Sequence, residues 1–417
     1  MMRFCGLLGQ TLKHSYSPAV HGALLKQSGD YSYELFEVEP EDLASFMNEG
    51  SWDGTNVTIP YKQAVIPYCT SLSPAAIAIG SVNTIVRRSG GGIYGDNTDA
   101  VGFLAMLRQS GIVVKGKKVL VLGSGGSSLT VCHVLNEEGA GEIVVISRNG
   151  TNTYENLNRH ANAQVIVNTT PVGMYPNTGK SPVELDGFPM LEGVLDLIYN
   201  PARTCLMMEA EKKGIPNIGG LTMLVGQAAG AAKLFSGMVT SGQREQEIVQ
   251  LMQKQMENII LIGMPGSGKS TIGHILAERL NAEGNHRTFI DIDKEIEKAE
   301  GRTIPEIFEQ SGEEDFRKIE TKLIAQYGKE SGLIIATGGG AVTREENYPH
   351  LHQNGRIIFI ERDVNKLERS GRPLSQGDIQ SMYEQRLPLY QRFADYTVQN
   401  DGEYQETVSQ ILKLTSI

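Results

Sequence analysis

The stretch LIGMPGSGKST, residues 261–271, decides the fold of the chain around it. Two glycines, Gly263 and Gly268, enclose four residues and precede Lys269 and Ser270, which is the pattern of a phosphate-binding loop between a strand and a helix. Backbone N–H groups of such a loop surround phosphates, the lysine offsets their charge, and the hydroxyl binds Mg²⁺. The stretch therefore predicts a nucleotide-binding domain, and more than half of the chain precedes it.

Length and composition predict an ordinary globular protein of several domains. The chain has 417 residues, of which 40% are hydrophobic and 21% charged, and this length favours about three structural units. A net charge of −10 disfavours nucleic acid or an anionic membrane as the main partner. The four cysteines form no CxxC pair, which favours free thiols in a reducing compartment. With no signal-peptide pattern and no apolar run of spanning length, we expect a cytoplasmic protein with small-molecule partners. The sequence does not determine its oligomeric state.

Strand-like and helix-like segments alternate along the chain, which predicts an α/β fold. Short apolar runs such as RFCGLLG, YSYELFEV and GTNVTI form a first domain, residues 1–101, with a parallel or mixed sheet. The stretch GKKVLVLGSGGSS opens a second, Rossmann-like domain, residues 102–219. Residues 220–255 are predicted to be helices that pack back on the first domain, and residues 257–417 to be the nucleotide-binding domain. The polar segment 241–258 predicts a terminal helix followed by a short tether.

The glycine turn of the second domain predicts a dinucleotide site made by Gly123, Gly125, Gly126 and Ser127. The strand IVVIS that follows ends without the acid that binds an NAD ribose. It is followed by Arg148 instead, which favours the 2′-phosphate of NADP, with a solvated loop arginine as the alternative. Only residues 148–164 lie between this arginine and the next strand, so one helix or strand of the usual domain is predicted to be missing.

Candidate residues of the last domain follow its strands. The stretch FIDID predicts that Asp291 and Asp293 lie on the same side of a strand at its carboxyl end, where they can serve a metal and an acceptor hydroxyl. The glycines at 338–340 would let backbone N–H groups approach a ligand. A solvated turn and a plain tight turn are the alternatives. Basic residues recur at Arg317, Arg372 and Arg386, and each alone is compatible with an ordinary surface charge.

The stretches FIDID, GEEDFRKIE, ATGGGAV, GRPLS and YEQRLPLY, in this order after the loop, resemble shikimate kinase over essentially all of residues 257–417. The resemblance implies a P-loop, nucleoside-monophosphate-kinase-like fold that uses ATP and Mg²⁺ to phosphorylate the 3-hydroxyl of shikimate. It implies that Asp293 holds the acceptor hydroxyl, that Asp291 supports the metal with Ser270, and that Arg372 reaches the transferring phosphate from a lid. This lid is shorter than is usual in the family. The implied shikimate ligands are Arg317, Gly339, Gly340 and Arg386, and the implied nucleotide ligands are Gly266, Ser267, Gly268, Lys269, Ser270 and Thr271.

The stretches HSYSP, NVTIPYK, GSVNTI, GDNTDAVG, NTTPVGM, DLIYNP and GLTMLVGQA, in this order, resemble shikimate dehydrogenase across residues 3–235. The resemblance implies Lys62 and Asp99 at the reacting centre, where an ammonium can stabilise and protonate the developing alkoxide. Outside these motifs, such a pair would be interpreted as a surface ion pair. The implied substrate contacts are Ser15, Ser17, Thr58, Asn83, Gln227 and Tyr199, with Tyr199, Gly220 and Met223 near the nicotinamide.

Together the resemblances imply a bifunctional enzyme for two successive steps of aromatic amino-acid biosynthesis. Its first half would reduce 3-dehydroshikimate to shikimate with NADPH, and its second half would convert shikimate to shikimate 3-phosphate with ATP. Two other functions of the first half stay open, namely NAD-linked oxidation of quinate or shikimate and a non-catalytic module that regulates the kinase. The two serines of HSYSP and Arg148 favour reduction, and Lys62 with Asp99 favours catalysis. We expect the two halves to fold separately, with no direct transfer of shikimate between sites.

Overall fold

The computed structural model describes residues 2–12, 15–25, 31–367 and 379–415, and the chain divides into two compact units. Unit 1 comprises Met1–Gly173, Lys180–Tyr199 and Leu206–Met252. Unit 2 comprises Met174–Gly179, Asn200–Cys205 and Gln253–Ile417, so it includes two short segments from the first half of the chain. The predicted domain boundaries near residues 101 and 219 stay a prediction.

The first part of unit 1 is a six-stranded sheet with helices. Its elements are β1 (Arg3–Gly9), α1 (Ser17–Leu25), β2 (Tyr31–Glu37), α2 (Leu43–Glu49), β3 (Gly54–Val57), β4 (Ser71–Leu72), α3 (Pro74–Ile79), β5 (Thr84–Arg87), β6 (Ile93–Asp96) and α4 (Thr98–Ser110). The strand order is β2-β1-β3-β5-β6-β4. Strand β1 runs parallel to β2 and β3, whereas β5 is antiparallel to β3 and β6. The expected mixed sheet is therefore confirmed.

The second part of unit 1 is a wholly parallel sheet. Its elements are β7 (Lys118–Leu122), α5 (Gly126–Glu137), β8 (Glu142–Ile146), β9 (Val165–Asn168), β10 (Gly193–Asp196), α6 (Cys205–Lys212) and β11 (Asn217–Gly219). The order β11-β10-β9-β7-β8 places β7 in the interior, and its apolar residues are fully buried, as is typical of parallel sheets. The link from β8 to β9 holds the 3-10 helix Tyr154–His160 and no α-helix, and the predicted loss of one helix or strand of the usual domain stays a prediction.

Two long helices complete the part of the chain before the phosphate-binding loop, α7 (Leu221–Ser236) and α8 (Gly242–Met256). Helix α7 packs closely on α4, since a Cβ atom added at Gly102 would overlap the carbonyl oxygen of Met223. This approach brings the first half of α7 against the first turns of α4. Helix α8 buries Ile248, Val249 and Met252, and only Glu257 separates it from the next strand, so the predicted tether is a single residue.

Unit 2 is built on a parallel five-stranded sheet with helices. Its elements are β12 (Asn258–Ile262), α9 (Lys269–Ala282), β13 (Thr288–Asp291), α10 (Ile292–Glu300), α11 (Ile304–Gly328), β14 (Leu333–Ala336), α12 (Asn347–His352), β15 (Gly355–Glu361), α13 (Ile379–Phe393), β16 (Tyr396–Gln399) and α14 (Tyr404–Thr415). The order β13-β14-β12-β15-β16 places the phosphate-binding loop at the carboxyl end of the central strand. Every helix in the described residues is too short or too polar to span a bilayer.

Candidate active sites

An ion pair between Lys62 and Asp99 lies at the centre of the first candidate site. The Lys62 Nζ atom is 2.5 Å from Asp99 Oδ2, and the two side chains are only 19% and 6% exposed. Asn83 Nδ2 donates to the other carboxylate oxygen at 2.8 Å and approaches Gln227 Oε1 at 3.2 Å. The fold thus brings together four predicted residues from separate motifs. Asp99 also lies in the first turn of α4, where the helix dipole favours a carboxylate.

A second set of polar side chains runs from the serine loop to Asn83. The Ser17 hydroxyl donates to Tyr33, whose own hydroxyl donates to Asn56 Oδ1 at 2.8 Å. Asn56 Nδ2 donates to Thr84 Oγ1 at 3.0 Å, and this hydroxyl reaches Asn83 Oδ1 at 3.2 Å. The chain of hydrogen bonds is continuous, so it holds the serine loop at a set distance from the Lys62–Asp99 pair.

Ser15 and Thr58, two further residues that were predicted to contact the substrate, have different surroundings. The hydroxyl of Ser15 accepts a hydrogen bond from the Ser17 backbone N–H at 3.3 Å, which places both serines in one turn. Thr58 lies just after β3 with its methyl group towards Gly9. Within the described residues its hydroxyl makes no hydrogen bond to the polar chain, so its predicted substrate contact stays a prediction.

His21 lies buried beneath this polar chain. Its ring stacks on Tyr33 with 3.8 Å between ring centroids, and Nδ1 and Nε2 are 2.7 and 3.2 Å from Tyr31 Oη and Asn56 Oδ1. Burial lowers the pKa of His21 to about 3, so the imidazole is neutral at neutral pH. With Asn56 Oδ1 as acceptor, Nε2 carries the proton and Nδ1 accepts from the tyrosine.

The predicted nicotinamide-side residues lie around the start of α7. A Cβ atom added to Gly220 would overlap the backbone of Leu197, so only glycine fits between these segments. Met223 is buried in the first turn of α7. Tyr199 packs edge-on against Tyr16, with ring centroids 5.9 Å apart, and therefore lies beside the serine loop.

The glycine turn after β7 has the geometry of a phosphate site. Gly123 has φ +103° and would overlap Thr169 if it carried a Cβ atom, whereas Gly125 leads directly into α5 with open space beside it. Ser127 lies in the first turn of α5, so the positive helix end faces the turn. Arg148 is exposed two residues after β8, at the same carboxyl edge of the sheet. These residues fit a dinucleotide with an added phosphate.

The phosphate-binding loop of unit 2 surrounds a lysine. Gly263, Gly266 and Gly268 have φ values of +148°, +82° and +93°, which favour glycine and turn the chain around an anion-sized space. Lys269 is the first residue of α9 and is buried, and its Nζ atom donates to the carbonyls of Gly263 and Met264 at 2.9 Å. Its ammonium is therefore held inside the loop.

Asp291 and Asp293 do not lie on one face of a strand, and that prediction is wrong. Strand β13 ends at Asp291, which caps α10 by accepting the backbone N–H of Asp293 at 3.1 Å, so Asp293 is already helical. Asp291 Oδ2 accepts a hydrogen bond from Ser270 Oγ at 2.6 Å. This pair of oxygen donors fits Mg²⁺, which takes few protein ligands and retains waters. Asp293 instead points to the neighbouring cavity.

A cavity of about 280 Å³ lies next to the loop, and most of the predicted kinase residues line it. Those residues are Gly266, Gly268, Lys269, Ser270, Thr271, Asp293, Arg317, Gly339, Gly340 and Arg386. Ser267 is buried behind the loop, and Arg372 lies outside the described residues. The glycines at 338–340 are packed on all sides, because a Cβ atom would overlap Glu320 and Asp293 at Gly338, Pro265 at Gly339 and the Arg317 guanidinium at Gly340.

Arg317 is held in the cavity wall by two carboxylates. Its guanidinium is 2.6 Å from Glu320, which is fully buried, and 3.1 Å from Glu313. Burial raises the pKa of Glu320 to about 7, and the Arg317 charge opposes that rise. Arg386 lies on the opposite helix, α13, and donates to the carbonyl of Gly339 at 3.3 Å. Two guanidinium groups therefore line one cavity, which suits a carboxylate ligand.

Several residues of both sites were missed by sequence reasoning. Tyr33 and Asn56 carry the polar chain of unit 1, and Asn56 is the first residue of the quoted motif NVTIPYK. Glu320 lies three residues after Arg317 and Tyr390 four after Arg386, which are the spacings of one helix face. In unit 2, the helical spacing from Arg317 and Arg386 was therefore the signal in the sequence that could have identified Glu320 and Tyr390.

Comparisons with known proteins match both halves of the chain. Residues 7–85 match the family model of the shikimate dehydrogenase substrate binding domain, and residues 265–416 match that of shikimate kinase. A shikimate dehydrogenase (NADP(+)) of Clostridium beijerinckii is 34% identical over 272 residues, which are 61% of this chain and 100% of that protein. The crystal structure of a chorismate mutase/shikimate 5-dehydrogenase fusion protein from Clostridium acetobutylicum is 33% identical with a TM-score of 0.57, covering 61% of this chain and 98% of that one. The shikimate 5-dehydrogenase of Thermus thermophilus, in complex with NADP(H) and shikimate, is 34% identical with a TM-score of 0.54, covering 60% of this chain and 99% of that one.

These matches agree with the two sites and with their order in the chain. The two family models match in that order, the dehydrogenase model at residues 7–85 and the kinase model at residues 265–416. The chain therefore belongs to the shikimate dehydrogenase family and carries a shikimate kinase domain behind it, as a bifunctional enzyme of the shikimate pathway.

Proposed function

We propose that unit 1 reduces 3-dehydroshikimate to shikimate with NADPH and that unit 2 phosphorylates the 3-hydroxyl of shikimate with ATP and Mg²⁺. The observation that carries the first activity is the partly buried Lys62–Asp99 pair, linked through Asn83 to Gln227. A lysine held by a carboxylate inside a polar pocket is a group that can deliver a proton to an oxygen.

In unit 1, the serine loop and the ion pair hold opposite ends of the substrate. Ser15 and Ser17 bind the carboxylate, while Thr58, Asn83 and Gln227 bind the ring hydroxyls. NADPH, when bound, supplies the hydride to the carbonyl carbon. The ammonium of Lys62, oriented by Asp99, stabilises the negative charge that develops on the oxygen and donates the proton. Tyr199, Gly220 and Met223 position the nicotinamide beside that carbon.

Arg148 sets the choice of cofactor in this proposal. It is exposed at the edge of the parallel sheet, and Asn149 and Gly150, which follow it, carry no charge. A guanidinium can bind a 2′-phosphate by two charge-assisted hydrogen bonds, whereas a ribose hydroxyl is usually bound by an acid. The glycine turn at Gly123, Gly125 and Gly126 then receives the pyrophosphate.

In unit 2, the protein acts by positioning and by offsetting charge. Arg317 and Arg386 bind the shikimate carboxylate, and Asp293 orients the acceptor hydroxyl. The loop from Gly266 to Thr271 binds the nucleotide phosphates with Lys269, and Arg372 supports the transferring phosphate. Mg²⁺, when bound through Ser270 and Asp291, offsets phosphate charge. The supporting observation is that the acid, both arginines and the loop line one cavity.

The proposal is tested with the full chain, 3-dehydroshikimate and NADPH, by following the loss of NADPH absorbance. ATP is then added, and shikimate 3-phosphate is measured. We expect both products, with shikimate formed faster with NADPH than with NADH. Oxidation of quinate with NAD but no reduction of 3-dehydroshikimate would favour the oxidative alternative. If the chain phosphorylates shikimate but turns over no nicotinamide cofactor, the first half is a non-catalytic module.

A further inference from the structure

Tyr390 is a buried tyrosine of α13 that none of the proposed steps uses. Its side chain is fully buried, and its ring stacks on Phe359 of β15 with centroids 4.9 Å apart and ring planes at 12°. The stack packs the ring into the core, while the direction of the hydroxyl group is set by its own hydrogen bonds. Burial raises the pKa of Tyr390 well above that of a free tyrosine, so the hydroxyl keeps its proton as a donor.

The Tyr390 hydroxyl lies where three parts of the kinase site meet. It donates a hydrogen bond to the carbonyl of Gly339, in the glycine run that lines the cavity. The Met264 sulfur, in the phosphate-binding loop, is 3.7 Å away. The Arg386 guanidinium, one helical turn earlier, also hydrogen-bonds to this hydroxyl. The hydroxyl oxygen therefore contacts the phosphate-binding loop, the glycine run and Arg386, which is a proposed ligand of the shikimate carboxylate.

The contact with Gly339 also determines where the next N–H group points. In a trans peptide the carbonyl of Gly339 and the N–H of Gly340 point in opposite directions. Because the carbonyl is bonded to Tyr390 on the core side, the N–H of Gly340 points away from the core. No group in the described residues accepts this N–H, and both glycines line the cavity. The tyrosine thus aims an available donor at the substrate space.

We propose that Tyr390 is a positioning residue of the kinase reaction, which orients the Gly339–Gly340 peptide and the Arg386 guanidinium for shikimate without touching it. The inference rests on the proposed function, since it takes the cavity beside Asp293 as the shikimate site. It states that the hydroxyl increases the affinity for shikimate and that ATP binding and the stability of the fold do not depend on it.

The test is Tyr390→Phe in the full chain, which removes the hydroxyl and keeps the stacked ring. Loss of one buried hydrogen bond to a group that then reorients should raise the KM and the Kd for shikimate about tenfold. The KM for ATP and the dehydrogenase kcat should stay within about twofold of the parent. The Kd is measured calorimetrically without ATP, so that the readout does not depend on turnover.

Two controls separate the hydroxyl from other causes. Tyr383→Phe removes another hydroxyl from α13, one that donates to Glu361 at 2.8 Å, and should leave shikimate affinity unchanged. Phe359→Leu weakens the ring stack but keeps the Tyr390 hydroxyl, so it should lower the melting temperature with little change in the KM for shikimate.

A parental KM for shikimate in Tyr390→Phe would overturn the inference. So would equal rises in the KM for shikimate and ATP, an insoluble variant, or an equal effect of Phe359→Leu, because the tyrosine would then serve the fold. If the parent chain itself phosphorylates no shikimate, the proposed function fails as well, and the two failures are thereby distinguished.

Discussion

Replacing Lys62 by alanine tests the dehydrogenase mechanism most directly. The change removes the ammonium that lies 2.5 Å from Asp99, and it leaves the carboxylate with the Asn83 donor. A positioned acid contributes roughly 10²–10⁴-fold to kcat. At about 1.36 kcal/mol per tenfold, this is about 2.7–5.4 kcal/mol of transition-state stabilisation. Breaking a buried pair also costs about 3–5 kcal/mol of stability, and the 19% exposure of Lys62 favours the lower end.

The assay follows NADPH loss with saturating 3-dehydroshikimate, with kinase activity of the same preparation as an internal standard. Kinase turnover and the KM for NADPH should be unchanged, because Lys62 lies at the substrate end of unit 1. Lys117→Ala is the matched control, since Lys117 also pairs with a carboxylate, Glu192, at 2.5 Å and is 20% exposed, but lies away from the candidate site. It should keep parental kcat.

The proton-donor role of Lys62 would be refuted by a Lys62→Ala enzyme whose kcat lies within about threefold of the parent, a loss far below that expected for a positioned acid. A fall in kcat that Lys117→Ala reproduces would point to general destabilisation of unit 1. A rise in the KM for 3-dehydroshikimate with unchanged kcat would make Lys62 a binding residue instead.

Four further outcomes are expected. Arg148→Ala should abolish most of the preference for NADPH over NADH in kcat/KM, and an unchanged preference would exclude its role at the 2′-phosphate. Asp293→Asn should stop phosphorylation while ATP still binds in calorimetry; loss of ATP binding would instead place Asp293 at the nucleotide. Since burial lowers the pKa of His21 from 6.5 to about 3, the unfolded chain binds the extra proton first, so stability is lost as pH falls through this range. In urea unfolding, the free energy of unfolding of unit 1 should thus be about 2 kcal/mol lower at pH 5 than at pH 7. If His21→Gln lost as much stability between these two pH values as the parent does, the loss would not come from His21. Fragment 256–417 should fold, because its sheet is complete, but should melt below the same unit in the full chain, because it lacks two segments of unit 2; identical melting would show that these segments add nothing.

Local motifs predicted the parts of the sites that lie within one turn or one loop. The glycine spacing identified the phosphate-binding loop, because its backbone shape and chemistry are encoded in a few adjacent residues. The Lys62–Asp99 pair, 37 positions apart, was implied instead by the resemblance that NVTIPYK and GDNTD carry. The spacing after Arg148 likewise predicted a short link before β9. The phosphate-binding loop and this link need little knowledge of tertiary packing.

Predictions failed where the contact depends on packing or on a change of secondary structure. Asp291 and Asp293 alternate correctly for a strand, but α10 begins between them and Asp291 becomes its cap. Tyr33 follows the ordinary alternation of an aromatic strand residue, and only the fold brings it to Ser17 and Asn56. The sequence alone indicates only a core tyrosine at Tyr390, because its hydrogen-bond acceptor, the Gly339 carbonyl, lies 51 positions away in the chain.

The glycine run at 338–340 limits how the gene of this protein can vary. Any base change that replaces one of these glycines by another residue brings in a Cβ atom. At each of the three positions that atom would meet a different part of the site, namely two carboxylates, a loop proline and a guanidinium. No single repacking step accommodates all three. A substitution in this loop therefore displaces a group of the site, so the gene is expected to change these codons together with those of the partner residues.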